Sequence, residues 1–562
     1  MRKQDIAGLL DDMADLLAVA GENEFKLRAY RNGAEILREL SDEQFRNHVE
    51  NGTLSDLEGI GEALSDKITE AYHSGIISKF EETKETYPVS LLDLYDIHGM
   101  GPKSIRKLFD ELGVETIPDL RKALQSGSVE SLDGFGPKTI ENIEQSLQRL
   151  DRFSGRVLLT DAITVAESLV DYLRDEADPD RIDVAGSYRR GKETVGDLDI
   201  VVTGAEDVGR CLTSHERVRD VLVDGDTKVS VLMESDIQVD LRIVAPEEYG
   251  ATLLYFTGSK EHNVKLRGRA RDRGWTINEY GLFNEDTGEK LAGETEESIY
   301  NKLGLDWIPP ELREDNGELE AAESGTLPDL VTTEDISGDW HVHTSASDGK
   351  HTVEQMVQSA KEKGHESIVI SDHSQSLRIA GGLTTDELEN HIGHIREVDD
   401  HFEGIDVRSG SEVDILEDGQ LDYPDELLER LDYVVAAIHQ KFHLDREAQT
   451  QRIISALKHP EVDVLAHPTG RKLGEREAYD LNRDRVLNIA AERDVAIEIN
   501  SNEKRLDAND RWCREGKSRG IQFVVSTDAH SREHLWFYEL GVRTARRGWL
   551  EVSDVANTGF RK

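Results

Sequence analysis

The sequence predicts a multidomain α/β chain: an all-α amino-terminal region, an α+β middle built on a mixed sheet, and a distorted (β/α) barrel at the carboxyl end. Three observations predict it. Residues 1–150 read as amphipathic helices joined by short Gly-containing turns. Residues 155–245 switch to strand patterns such as "RIDVAGSY", "DLDIVVT", "VSVLM" and "IQVDLRIV". From "GDWHVHT" onward, short apolar strands ("SIVIS", "YVVAAIH", "VDVLAHP", "VAIEIN", "QFVVST") alternate with helical stretches, which implies parallel strands with chemistry at their C-terminal ends.

At 562 residues the chain is too long for one hydrophobic core. The pattern shifts place helical units at 1–85 and 86–150, the mixed sheet at 151–245, a smaller mixed unit at 246–315, an acidic linker at 316–336 and the barrel at 337–562. Hydrophobic residues make up 37% and charged residues 32%, a globular composition. The formal charge is −47, and a uniformly acidic surface repels a polyanion such as DNA. Either the partner is not nucleic acid, or the acids form a solvated shell suited to a salty cytoplasm that screens the repulsion. The excess is spread along the whole chain instead of gathered in a tail, which favours the second reading, a halophile's surface. Cys211 and Cys513 stand far apart without CxxC spacing, so a disulfide framework and a cysteine-bound zinc are not expected, and the compartment reads as reducing cytoplasm. No apolar run is long enough for a membrane helix, and the acid-rich amphipathic start is not a signal peptide.

A pattern recurs among the helices: "LEGIGEALSDKI", "IHGMGPKSIRKL" and "LDGFGPKTIENI", with first glycines at 59, 99 and 134. Each opens a helix with a Gly-x-Gly turn, which lets backbone N–H groups approach a phosphate while the helix end adds partial positive charge. One copy reads as a plain connector; three copies favour a clamp that holds DNA without reading its sequence.

In "VGDLDIVVT", Asp197 and Asp199 lie two apart on a strand and therefore share a face. Two carboxylates so close repel unless cations sit between them. Mg²⁺ favours carboxylate and phosphate oxygens, and a pair of such ions activates an attacking hydroxyl and neutralises a leaving pyrophosphate. Asp240, an acid inside the apolar run "IQVDLRIV", supplies the third carboxylate. Gly186-Ser187 upstream forms a small-residue turn able to cradle a triphosphate, followed by Arg189 and Arg190.

"GSYRRGKETVGDLDIVV", "VDLRIV", "YFTGSKEHNVKLRGRARDRG" and "WTINEYGLF" together resemble the catalytic core of family X DNA polymerases, the polymerase beta group, over residues 1 to about 315. The glycine repeats resemble helix-hairpin-helix motifs. The resemblance implies that Asp197, Asp199 and Asp240 bind two Mg²⁺ ions, while Ser187, Arg190 and Arg156 hold the incoming triphosphate beside Gly186. It implies that Tyr255, Phe256 and Gly258 line the sugar pocket and select deoxyribose, that Asn263 touches the minor groove of the nascent pair, and that Arg267 contacts the template. Gln238 stands two before the third aspartate, where vertebrate relatives carry arginine. Lys67 takes the place of the amine that forms a Schiff base with a 5′-deoxyribose phosphate, and Lys26 and Tyr30 match that pocket. Ala63 and Phe25 replace its lysine and histidine, so a solvated helix lysine is the competing reading of Lys67.

In the last third, His341, His343 and Asp348, then His373, Glu412, His439, His467, Asp528 and His530 recur at strand ends. Nine N/O donors converging on one barrel face suit Zn²⁺ or Mn²⁺ and hydrolysis by a metal-bound hydroxide. His351, His365, His391 and His394 are read as core or surface residues. The set resembles the PHP (polymerase and histidinol phosphatase) domain over 337–562, which implies nine ligands for three metals and 3′-to-5′ exonuclease, 3′-end or abasic-site cleavage. The combined reading is a cytoplasmic, monomeric repair polymerase that takes dNTPs and gapped or nicked double-stranded DNA. Two rivals remain at this point: a PHP phosphoesterase with a degenerate polymerase-like tether, and a non-enzymatic scaffold for DNA ends.

Overall fold

The computed structural model describes residues 3–559 apart from 41, 58, 85, 98–99, 133, 137, 145–146, 148–155 and 206; Gly99 and Pro137 of the glycine repeats, and the 150/151 boundary, lie outside the described residues. The chain forms two compact units, Met1–Ser154 and Gly155–Lys562.

The first unit is helical. Its opening helix Lys3–Val19 buries Ile6, Leu10, Met13, Leu16 and Leu17, the apolar stripe of its sequence, and leaves Leu9 partly covered. A single hydrophobic cluster runs from Ile6 to Leu147, so the division expected at residue 85 does not separate two cores. The three glycine turns share one backbone hydrogen bond: Ile60 N–H to Leu57, Met100 to Ile97 and Phe135 to Leu132. In each, the residue between the two glycines is buried, which anchors the turn and presents the following helix start. Gly61 and Gly101 are the N-caps of helices Glu62–Ser74 and Pro102–Leu112.

The second unit begins with helix Leu159–Ala177 on a five-stranded sheet, ordered Arg181–Val184, Asp197–Thr203, Gln238–Ile243, Lys228–Met233 and Val218–Asp224. All its neighbours are antiparallel except the central pair Asp197–Thr203 and Gln238–Ile243. Helices Tyr249–Thr257 and Lys260–Arg271, a three-stranded sheet and helix Glu296–Lys302 follow. Buried Arg313 grips Glu296 with two N–H groups at 2.6 and 3.0 Å. Arg189 grips the same carboxylate at 2.8 and 2.9 Å, joining the sheet to this subdomain.

The run expected to be a linker, 316–336, is instead packed. Helix Glu318–Ser324 places the Glu318 carboxylate in the interior, where His262 Nδ1 lies 2.7 Å away and the Asp315 and Asn316 N–H groups donate to it. Leu319 and Leu330 join the subdomain core and Val331 joins the barrel core. Acidic composition hid burial that depends on a partner 56 residues upstream.

The barrel has seven parallel strands in sequence order, Gly338–Val342, Ser367–Ile370, Asp406–Asp414, Tyr433–Ala437, Val464–Leu465, Ala496–Asn500 and Phe523–Ser526. The last returns to the first through a Val342–Ala529 bridge, with the His343 N–H donating to the Ala529 carbonyl at 2.9 Å. The strands are buried along nearly their whole length, Trp340 at the middle of the first being half-buried, as expected of a parallel sheet covered by helices. Leu506, Phe537 and Leu540 of the barrel lie in the same hydrophobic cluster as Leu159, Leu198 and Leu241 of the five-stranded sheet domain.

Glu296→Gln removes the one carboxylate ion-paired with buried Arg313 among the described residues and is expected to lower the unfolding free energy by about 3 kcal/mol, read from the urea midpoint.

Candidate active sites

The strand pairing Asp197–Thr203 with Gln238–Ile243 sets Asp199 directly beside Asp240, with Asp197 opposite Gln238. Asp199 and Asp197 extend from the same face, and burial together with Asp197 and Asp240 pushes the Asp199 carboxyl up to about 7. Asp240 differs. Burial opposes its ionisation, but Lys228 and Gln238 beside it hold its pKa below the ordinary value. Lys228 Nζ is 2.7 Å from Oδ2, and Gln238 Nε2 donates to Oδ1 at 2.9 Å. Gln238 thus makes a neutral contact to the third aspartate, and Arg242, 3.8 Å from Oδ2, completes the surround.

Gly186 adjoins this pair. Its φ is +70°, and an added Cβ would stand 3.3 Å from Asp199 Oδ2, so only glycine brings the Gly186-Ser187 turn this close. Gly258 does the same on the facing loop, where a Cβ would meet Arg190 Nη1 at 3.1 Å. Arg190 is not open to solvent on all sides: its Nε donates to Glu314 at 3.0 Å and its Nη1 to the Thr257 carbonyl. Arg156 lies across Gly196, with Nε donating to Thr194 at 2.9 Å. Tyr255 and Phe256 meet edge to face, Arg242 covers the Phe256 ring, and Asn263 donates to the Tyr255 carbonyl at 2.8 Å. Arg267 is exposed on helix Lys260–Arg271.

At the barrel mouth the side chains close into three overlapping groups: His343, Asp348, His373 and His530; His341, His343 and Asp528; and His373, Glu412 and His439. His467 adjoins them, its Nε2 at 2.8 Å from Glu412 Oε1. His341 Nε2, both nitrogens of His343, and Glu412 Oε2 are buried with no hydrogen-bond partner, which is the condition of donors arranged for cations. Burial and neighbouring His530 and His373 push the His343 imidazole down to about 4, so it is neutral and able to ligate. Outer carboxylates orient the rings: His341 Nδ1 lies 2.6 Å from Glu498 and His439 Nδ1 lies 2.7 Å from Asp414, turning each Nε2 toward the cluster. His467 and Asp528 both take positive φ, +27° and +53°, strained conformations of the kind that collect at functional sites. The donor set fits divalent cations.

Along the chain, the helix-hairpin-helix description matches 1–77, the SAM-like helix-hairpin-helix tandem 91–149, the DNA polymerase beta palm 161–248, the polymerase beta thumb 252–314 and the PHP domain 339–502. The chain is 36% identical to the DNA polymerase/3′-5′ exonuclease PolX of Bacillus subtilis over 561 residues, 99% of this chain and 97% of that protein. It belongs to the PHP-containing family X DNA polymerases. Probable phosphatases of Thermoanaerobacter sp. and Acetivibrio thermocellus are 28% and 31% identical over 40% and 34% of this chain, covering 91% and 78% of their own lengths. Membership gives this family X polymerase a palm and thumb with a PHP exonuclease module, and divalent-metal dependence with both. No described helix is long and apolar enough to cross a membrane.

Sequence reasoning missed Glu498, Asp414 and Asp372. The first two stand in "AIEIN" and "GSEVDI", acids within apolar strands, the same signal that singles out Asp240. Asp372 accepts from Thr344 and Ser347 and pairs with His391, so His391 orders the loop carrying Asp348. Lys67 is half-buried, and its Nζ donates to the Ala63 carbonyl of its own helix. Lys26 is paired with Glu22. Neither contact desolvates a nucleophilic amine.

Without metal, the Asp199 carboxyl is expected to titrate near 7 by carbon NMR. The folded chain keeps a proton that the unfolded chain releases above 3.8, so metal-free stability falls as pH rises from 3.8 to about 7. Adding Mg²⁺ just below that upper pH is expected to release the proton and flatten the dependence.

Proposed function

We propose that the chain fills short gaps in nicked or gapped double-stranded DNA during base excision repair, adding deoxynucleotides from dNTPs at the palm and trimming 3′ ends at the barrel. The observation carrying this reading is the register that sets Asp199 beside Asp240 on parallel strands, with the Gly186-Ser187 turn packed against Asp199. Asp197, Asp199 and Asp240 hold Mg²⁺, which when bound activates the primer 3′ hydroxyl and neutralises the departing pyrophosphate. Ser187, Arg190 and Arg156 orient the triphosphate. Tyr255, Phe256 and Gly258 form the wall beside the sugar, Asn263 meets the minor-groove edge of the new pair, and Arg267 steadies the template. The glycine turns clamp the duplex through its phosphates, a local backbone contact that tolerates an acidic surface.

At the barrel, His341, His343, Asp348, His373, Glu412, His439, His467, Asp528 and His530 hold three ions, Mn²⁺ or Zn²⁺ by their mixed N/O chemistry, which supply a hydroxide nucleophile when bound. Glu498 and Asp414 keep His341 and His439 oriented throughout. The relatives named probable phosphatase, matched over 40% and 34% of this chain, favour a second reading of the barrel site, removal of a 3′ phosphate. The enzyme works as a cytoplasmic monomer, and its acidic shell suits a high-salt cytoplasm.

Crossed variants test the assignment on one primer–template. Asp240→Ala is expected to bring nucleotide addition to background while 3′-end degradation persists; an Asp240→Ala enzyme that extends the primer overturns the reading. The double variant His341→Ala/Asp528→Ala is expected to reverse the pattern. Borohydride trapping on incised abasic DNA is expected to give no adduct at Lys67, whose Nζ donates to the Ala63 carbonyl of its own helix.

A further inference from the structure

Arg190 is held by two parts of the chain at once. Glu314, at the end of the thumb, takes its Nε at 3.0 Å, and the same carboxylate is shared with Lys192 Nζ at 3.2 Å and with Arg547 Nη1 at 3.0 Å. Arg547 belongs to the barrel module: it ends helix Tyr538–Arg547 and is 6% exposed. Its Nη1 also donates to the backbone carbonyl of Arg190 at 2.9 Å, and its Nη2 donates to Asp510 Oδ2 at 2.6 Å, at the start of barrel helix Asp510–Lys517. A guanidinium fork suits this task, since one planar group satisfies a carboxylate, a carbonyl and a second carboxylate in fixed directions. Arg547 therefore fastens both the main chain of Arg190 and the carboxylate that grips its side chain. Among the described contacts, Arg190 Nη2 alone takes no partner.

We propose that Arg547 is a positioning residue of the polymerase reaction, a side chain of the hydrolase module that aims Arg190 at the phosphates of the incoming nucleotide. The inference rests on the reading of Arg190 as a triphosphate contact. Lys192, Glu314 and Asp510 complete the assembly, in which three cations face two carboxylates and leave one positive charge uncompensated beside the Gly186-Ser187 turn. Without Arg547, Glu314 has only Arg190 and Lys192 to offset its burial, so it draws the Arg190 guanidinium toward itself and away from phosphate.

The test measures kcat and KM for a dNTP on gapped DNA with the full-length chain, alongside 3′-end degradation by the same preparation. Arg547→Met is expected to raise KM for the dNTP about tenfold while kcat and degradation hold, the size of a typical coupling between sites. Arg547→Lys keeps the charge but loses the fork, and is expected to fall between. Arg546→Ala is the control: the neighbouring arginine joins Glu311 at 2.6 Å and the Val331 carbonyl across the same interface without touching Arg190, and its KM is expected to match that of the parent. An equal KM rise in Arg546→Ala would assign the effect to general loosening and sink the proposal. Should Arg547→Met fail to fold, Asp510→Asn releases only the outer anchor and is expected to raise KM in the same direction; unchanged KM there overturns the proposal. Arg190→Ala separates the two readings. If its KM is unchanged, the triphosphate assignment of Arg190 falls; if its KM rises while that of Arg547→Met does not, the positioning role alone falls.

Discussion

Negative charge gathered at the ends of parallel strands is the constraint on which the second unit is built. Neighbouring parallel strands run in register, so acids on adjacent strands arrive side by side, as Asp199 and Asp240 do. Their repulsion cannot be relieved by moving apart, because the hydrogen-bond ladder sets the spacing. Relief comes from what is placed between or behind them. Lys228 and Gln238 quiet Asp240, while burial and its two acidic neighbours raise the Asp199 carboxyl to about 7.

The barrel solves the same problem with a different mixture. Seven strands bring carboxylates and imidazoles to one mouth, where His373, His439 and His467 all lie within 3.1 Å of Glu412 and the first two have raised pKa values beside it. The outer ring of Glu498, Asp414 and Asp372 then turns each imidazole or loop toward the centre. One chain thus carries two donor sets of contrasting chemistry, oxygen-only in the palm and nitrogen-rich in the barrel.

Much of this was legible in the chain because the β period is two and because strand-end motifs are short. Asp197 and Asp199 announce a shared face, Asp240 stands out as an acid in an apolar run, and the nine side chains expected at the barrel mouth, eight of which fall in the converging groups, sit in local strings such as "HVHT" and "STDAHS". What stayed hidden depended on long-range partners. Glu318 looks like linker chemistry until His262 is folded against it, and Arg190 looks open until Glu314, 124 residues away, closes on it. The two helical stretches look separable because their joint core is assembled from positions as distant as Ile6 and Leu147. Glu498 carried a readable signal, an acid in "AIEIN", but no neighbouring histidine in the string to draw attention to it.

Leu506, Phe537 and Leu540 reach from the barrel into the oily interior of the sheet domain, alongside Leu159 and Leu198. Synthesis and trimming are consequently carried by halves that solidify together. Parting them would bare Leu506, Phe537 and Leu540 on one side and Leu159 and Leu198 on the other, an apolar surface that water penalises.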